Sequence, residues 1–142
     1  MNPSEKVEEG WINARLIIEA QGKPEKYILE NLEAIKTKLS QTKDVEVYDV
    51  KSESPHKSEG ELVSALMDLG VLTKDAETLT SLVLTYGPSA VLIIEPKEIK
   101  LDFRQLQNML NDVAGLLHAI SQKNLQLSVQ NYLVAKKVAT KK

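Results

Sequence analysis

The chain has 142 residues, 42% of them hydrophobic and none of them cysteine. That is enough apolar material for one cored domain with an appendage, without disulfides. It excludes thiol catalysis, cysteine-based zinc sites and disulfide scaffolds. The net charge of −2 is unevenly spread: Lys123, Lys136, Lys137, Lys141 and Lys142 follow the last acidic residue, Asp112, so a tail of +5 leaves −7 on the first 122 residues. An acidic body is a poor nucleic-acid surface. The basic tip would offer phosphate only a weak contact, and a solvated terminus is its plainer reading.

Residues 1–10, MNPSEKVEEG, are polar, lack the apolar segment of a secretory signal, and read as a flexible leader. No run approaches the length of a membrane span, so a cytoplasmic protein without membrane contact is expected. From Trp11 the chain alternates, with Ile12, Ala14, Leu16, Ile18 and Ala20 on one side, which predicts a half-buried strand. QGKPEK makes a turn into a helix that ends near Ser40, with Ile28, Leu32, Ile35 and Leu39 on one face. KDVEVYDVK at 43–51 predicts a second strand, with Val45 and Val47 on one side and Tyr48 and Val50 on the other. Residues 52–60 read as a loop.

The stretch ELVSALMDLGVL has helical propensity, but Val63, Ala65, Met67, Leu69 and Val71 alternate without a miss. It is therefore assigned as a strand, with Gly70 marking a bulge or a close backbone approach. A helix over about 74–86 follows, with Ala76, Leu79, Val83 and Tyr86 as its stripe and Gly87-Pro88 as its stop. SAVLIIE at 89–95 is continuously apolar and predicts a strand buried on both faces. Asp102 and Gln105 then open a long helix from Phe103.

The order strand, helix, strand, strand, helix, strand matches the ferredoxin-like βαββαβ plan, an α+β fold with an antiparallel sheet and two helices on one face. The predicted organisation is a leader at 1–10, this domain at 11–101, and a helix at 102–140. By parity, the sheet face opposite the helices carries Trp11, Arg15, Ile17, Glu19, Tyr48, Leu62, Leu66 and Asp68. It is too apolar to lie bare, so the long helix or a second subunit is expected to cover part of it. Arg15, Glu19 and Asp68 are placed to pair across the ladder. Trp11 is the one aromatic residue on the two central strands of that face, so the base-stacking signature of RNA-recognition sheets is missing.

The long helix carries the sharpest pattern. With Phe103 at position a of a heptad, a falls on Leu110, Leu117, Asn124, Asn131 and Val138, and d on Leu106, Val113, Ile120, Leu127 and Val134. Two asparagines alone interrupt the apolar row. Asn at a costs stability but pairs with its mate across a two-stranded seam and sets register. The expected partner is a second copy of the chain, through Leu110, Val113, Leu117, Ile120, Asn124, Leu127, Asn131 and Val134, a seam that would run about 40 Å to Val138. No charged e/g pairs specify orientation. A second apolar row at Leu125, Val129, Tyr132 and Leu133 leaves antiparallel or higher-order packing open, and so does a helix folded back on its own domain.

Catalytic chemistry is not indicated. His56 and His118 are the only histidines, and neither has the neighbours of a metal cluster or a Ser-His-acid set. No enzyme activity and no cofactor is expected. Glu25, Glu30 and Glu33 interleave with Lys26, Lys36 and Lys38 as an ordinary ion-paired helix face. Gly22 and Lys23, at the mouth of a helix, are the one candidate ligand site, with an anion-binding helix start as the rationale.

The stretch LTYGPSAVLIIEPKEIKLDFRQLQNMLNDVAGLLH, with LVSALMDL upstream, resembles a family of small uncharacterised archaeal proteins over residues 11–135. That resemblance implies a ferredoxin-like domain followed by a helix, and no assigned activity. The domain plan with Gly22 is also similar to ACT-type amino-acid-sensing modules, although QGKP is poorer in Gly and Pro than their loops. The sequence thus points to a homo-oligomeric interaction domain, with an ACT-like sensing domain as the alternative.

Overall fold

A computed structural model of the chain describes residues 2–57 and 62–140, with side chains described as far as 137. The chain divides into two compact units, Met1–Asp102 and Phe103–Lys142. The first contains α1 (Pro3–Glu8), β1 (Ile12–Gly22), α2 (Glu25–Gln41), β2 (Val45–Ser52), β3 (His56–Lys57), β4 (Val63–Thr73), α3 (Ala76–Tyr86) and β5 (Ala90–Glu95). The second is a single helix, α4 (Phe103–Thr140).

The sheet is antiparallel in the order β2-β4-β1-β5, with the two-residue β3 pairing with β4. The first and third expected strands are therefore central, as the ferredoxin-like plan requires. Over eleven residues β1 and β4 run in unbroken register, from Ile12 opposite Thr73 to Gly22 opposite Val63. The alternating apolar set does what its period demands. Ala14, Leu16, Leu69 and Val71 are fully shielded, and with Ile12, Ile18, Ala65 and Met67 they form the core beneath Ile28, Leu32 and Leu39 of α2 and Leu79 and Leu82 of α3.

Local chemistry ends each α3 terminus. The Asp75 carboxylate accepts from the Thr78 amide at 2.8 Å, satisfying a free N–H of the first turn. Gly87 adopts the left-handed cap at φ +54° and its N–H returns to the Val83 carbonyl.

Five sequence expectations need correction. Pro3–Glu8 is a short helix, not a flexible leader: Asn2 caps it by accepting from the Ser4 amide, and proline occupies its first turn. His56 and Lys57 pair with Ser64 and Val63, so part of the expected 52–60 loop is strand; residues 58–60 of it lie outside the described residues. Val50 packs on the core with Val45 and Val47, not opposite them. Between the pairs Tyr48–Gly70 and Lys51–Asp68, β2 advances three residues while β4 advances two, and this bulge reverses the parity. In α3 the second fully buried position is Leu82, where Val83 was expected, because Leu82 follows Leu79 at i+3 on the face toward the sheet. Finally, β5 is not buried on both faces. It is an edge strand paired with β1, and Val91, Leu92, Ile93 and Ile94 are all exposed.

Candidate functional site

On the sheet face away from α2 and α3, polar side chains converge on β4 from both sides. Tyr48 lies opposite Gly70 in the β2–β4 register, and its ring occupies the space a side chain would take there. A Cβ on Gly70 would stand 2.5 Å from Tyr48 Cζ, so glycine is required for this close approach. The ring thus crosses β4, and its hydroxyl donates to Oδ1 of the buried Asn13 on β1.

Beside it, Arg15 of β1 holds two carboxylates. Its Nε donates to Asp68 Oδ1 at 2.7 Å and its Nη1 to Asp49 Oδ2 at 3.1 Å, while Nη2 donates to the backbone carbonyls of Asp49 and Asp68. Asp49 is the extra residue of the β2 bulge and takes a left-handed backbone at φ +47°, a conformation Asp tolerates better than most residues. Burial pulls the Arg15 pKa down, but the hydrogen bond and charge of Asp68, then those of Asp49, outweigh it and the net shift is upward. The guanidinium is fixed by these partners, so the network locks three strands together and leaves no open fork for an anion. Of the expected ladder partners, Arg15 and Asp68 do pair, whereas Glu19 instead accepts from Ser64 Oγ.

At the Trp11 end, α1 supplies part of the cover that the sequence assigned to the long helix or a second subunit. Lys6 Nζ lies 4.5 Å from the Trp11 ring centroid and 3.8 Å from Glu46 Oε1. Ile17 and Leu66, in the middle of the face, are half-buried.

Gly22 and Lys23 lie at the end of β1 and just before α2. Gly22 has a packing role, since a Cβ there would approach Ile28 Cδ1 to 3.0 Å. A cleft of about 270 Å³ next to them is lined by Pro24, Lys26, Tyr27 and Glu30. Lys26 pairs with Glu30 at 3.9 Å and Lys36 with Glu33 at 3.4 Å, the ion-paired face read from the sequence. Among the described residues no group of three His, Asp or Glu side chains is arranged to hold a metal ion.

Taken by itself, α4 is one continuous helix through the whole expected seam. The row formed by Leu110, Val113, Leu117, Ile120, Leu127 and Val134 is exposed, from 37% for Val113 to 60% for Val134. Asn124 and Asn131 are exposed in the same row, and the Leu125, Tyr132 and Leu133 row is exposed as well. Val138, Lys141 and Lys142 lie outside the residues whose side chains are described.

Sequence reasoning passed over the roles of Asn13 and Asp49. The Asp49 bulge has no motif in DVEVYDVK, because a bulge is decided by how two strands register. A tyrosine facing a glycine could have been found once β2 and β4 were aligned.

The chain belongs to the MJ0538 family, whose model matches residues 13–141. It is a family of uncharacterised proteins with no known activity. No curated protein and no solved structure matches the chain. No helix among the described residues is long and apolar enough to cross a membrane.

Proposed function

We propose that this MJ0538-family chain is a non-enzymatic, cytoplasmic, archaeal interaction domain that works as a homodimer, with α4 forming a two-stranded coiled coil. The observation that carries the reading is the a/d row of α4: apolar at every position from Leu106 to Val134 except Asn124 and Asn131, and exposed along its length. An exposed apolar stripe of this length on one helix gains stability by pairing with another. Leucine would serve better at 124 and 131 if burial were the sole requirement. Asparagine at a is instead suited to bonding its twin across a seam and penalising other registers and strand numbers.

Light scattering after size exclusion tests this on the full chain. The wild type is expected at twice its 15.8 kDa mass. Leu117→Lys with Leu127→Lys is expected to return it to the monomer mass, and Asn124→Leu with Asn131→Leu to change subunit number or helix orientation. A wild type that runs as a monomer, or paired leucines that alter neither property, would overturn the reading. The ACT-like sensing alternative has the cleft beside α2 as its support, but Gly22, the residue that suggested it, is accounted for by its contact with Ile28.

A further inference from the structure

The two edges of the sheet are built differently. β2, at one edge, carries Glu46, Asp49 and Lys51 and is bent by the bulge at Asp49. These are the devices that keep an edge strand from recruiting another chain. β5, at the other edge, has none of them over Ala90–Ile93. This stretch contains no charge and no proline, and its bulge falls beyond it: Asn13 faces Glu95 while Ala14 faces Ile93, so Ile94 is the extra residue. Val91 and Ile93 lie opposite the core residues Leu16 and Ala14, and Leu92 lies opposite Arg15, so the edge is apolar on both faces. Its start is fastened to β1 by the Ser89 amide, which donates to the Ile17 carbonyl at 2.7 Å.

We propose that β5 pairs antiparallel with β5 of a second copy of this chain, about a two-fold axis at Leu92, joining the two sheets edge to edge. The unprotected edge is matched by a strand, which pairs with its whole row of outward N–H and C=O groups at once. Charge favours the chain's own β5 in this direction. An axis at Leu92 sets Val91 beside the partner's Ile93 and places the two Glu95 carboxylates at opposite ends of the ladder, each beside a Ser89. A parallel arrangement would stack the carboxylates on each other. The neutral strip is also where two bodies of net −7 approach with least repulsion. Residues on one face pair with residues on the same face, so the core face continues from Val91 to Ile93 across the junction. This contact uses no residue of α4 and stands apart from the coiled-coil reading.

The absence of native cysteine makes a direct test available. Full-length Val91→Cys and Ile93→Cys chains are mixed and oxidised with copper-phenanthroline. The antiparallel register brings 91 next to 93 of the other copy, so the mixed disulfide dimer is expected to exceed its statistical half of the covalent product. No covalent dimer, or an excess of 91–91 and 93–93 products, overturns the proposal. Leu92→Lys or Leu92→Glu alone is expected to abolish the cross-link, and mixing the two is expected to restore it; cross-linking that ignores these charges also overturns it. The β5 contact is the weaker of the two, a short strand pair, so the Leu117→Lys, Leu127→Lys chain is expected to run at the monomer mass while oxidation traps the same cross-link in it. Its persistence there while the wild type shows no α4-dependent assembly would sink the coiled-coil reading alone, and its loss there would sink this one.

Discussion

The central strands and α4 are both written in regular apolar patterns, yet they meet opposite fates. In β1 and β4 the alternate residues Leu16 and Leu69 are wholly buried between sheet and helices. In α4, Leu110 and Leu117 stand 59% exposed on an equally regular stripe. Periodicity therefore reports that a face is made for burial, and it is silent on what the face is buried against. The sheet finds its cover within the first unit, from α2 and α3. The proposed cover for α4 is a second copy.

The largest way to probe this contrast is to remove the same side chain from both regions. Leu16→Ala leaves a cavity in a closed core and is expected to cost about 2–5 kcal/mol in denaturant unfolding, at every protein concentration. Leu117→Ala is expected to change the unfolding midpoint only in a concentration-dependent way, through weakened association. Equal, concentration-independent losses would mean that α4 is buried within its own chain.

A smaller effect is expected where backbone closeness, not apolar volume, holds the sheet. Gly70→Ala drives a methyl group into the Tyr48 ring, and pushing the ring aside breaks its hydroxyl bond to Asn13. A loss of about 1–3 kcal/mol is expected by chemical denaturation. Tyr48→Ala in the same background should absorb most of a second penalty, and additive losses would show that the two residues do not act as a unit. The smallest change concerns a helix end. Asp75→Ala removes the α3 cap on Thr78 and is expected to cost about 1 kcal/mol, with faster amide exchange confined to the first turn of α3.

Much of the fold was legible because its signals are local. Strict alternation over Val63–Val71 outweighed the helical propensity of the same residues, and the structure is strand there. Gly87 announced a left-handed cap and is one. The site was less legible. Arg15 and Asp68 could be paired by parity, but Asp49 joins them through a bulge that depends on how β2 and β4 register. The apolar run at 89–95 suggested full burial, yet its residues are exposed, because α2 and α3 pack chiefly over β1, β2 and β4.

What the amino-acid order determined by itself was the presence of β1, α2, β2, β4, α3, β5 and α4, the inward faces of β1, β4 and α2, and the heptad row of α4, because period and cap chemistry act over a few neighbouring residues. The tertiary structure alone decided that both faces of β5 are exposed, which side of β2 Val50 joins, and which carboxylates Arg15 holds. Those outcomes depend on contacts between residues distant in sequence, and there a shift of one residue in register turns a side chain from one face of the sheet to the other.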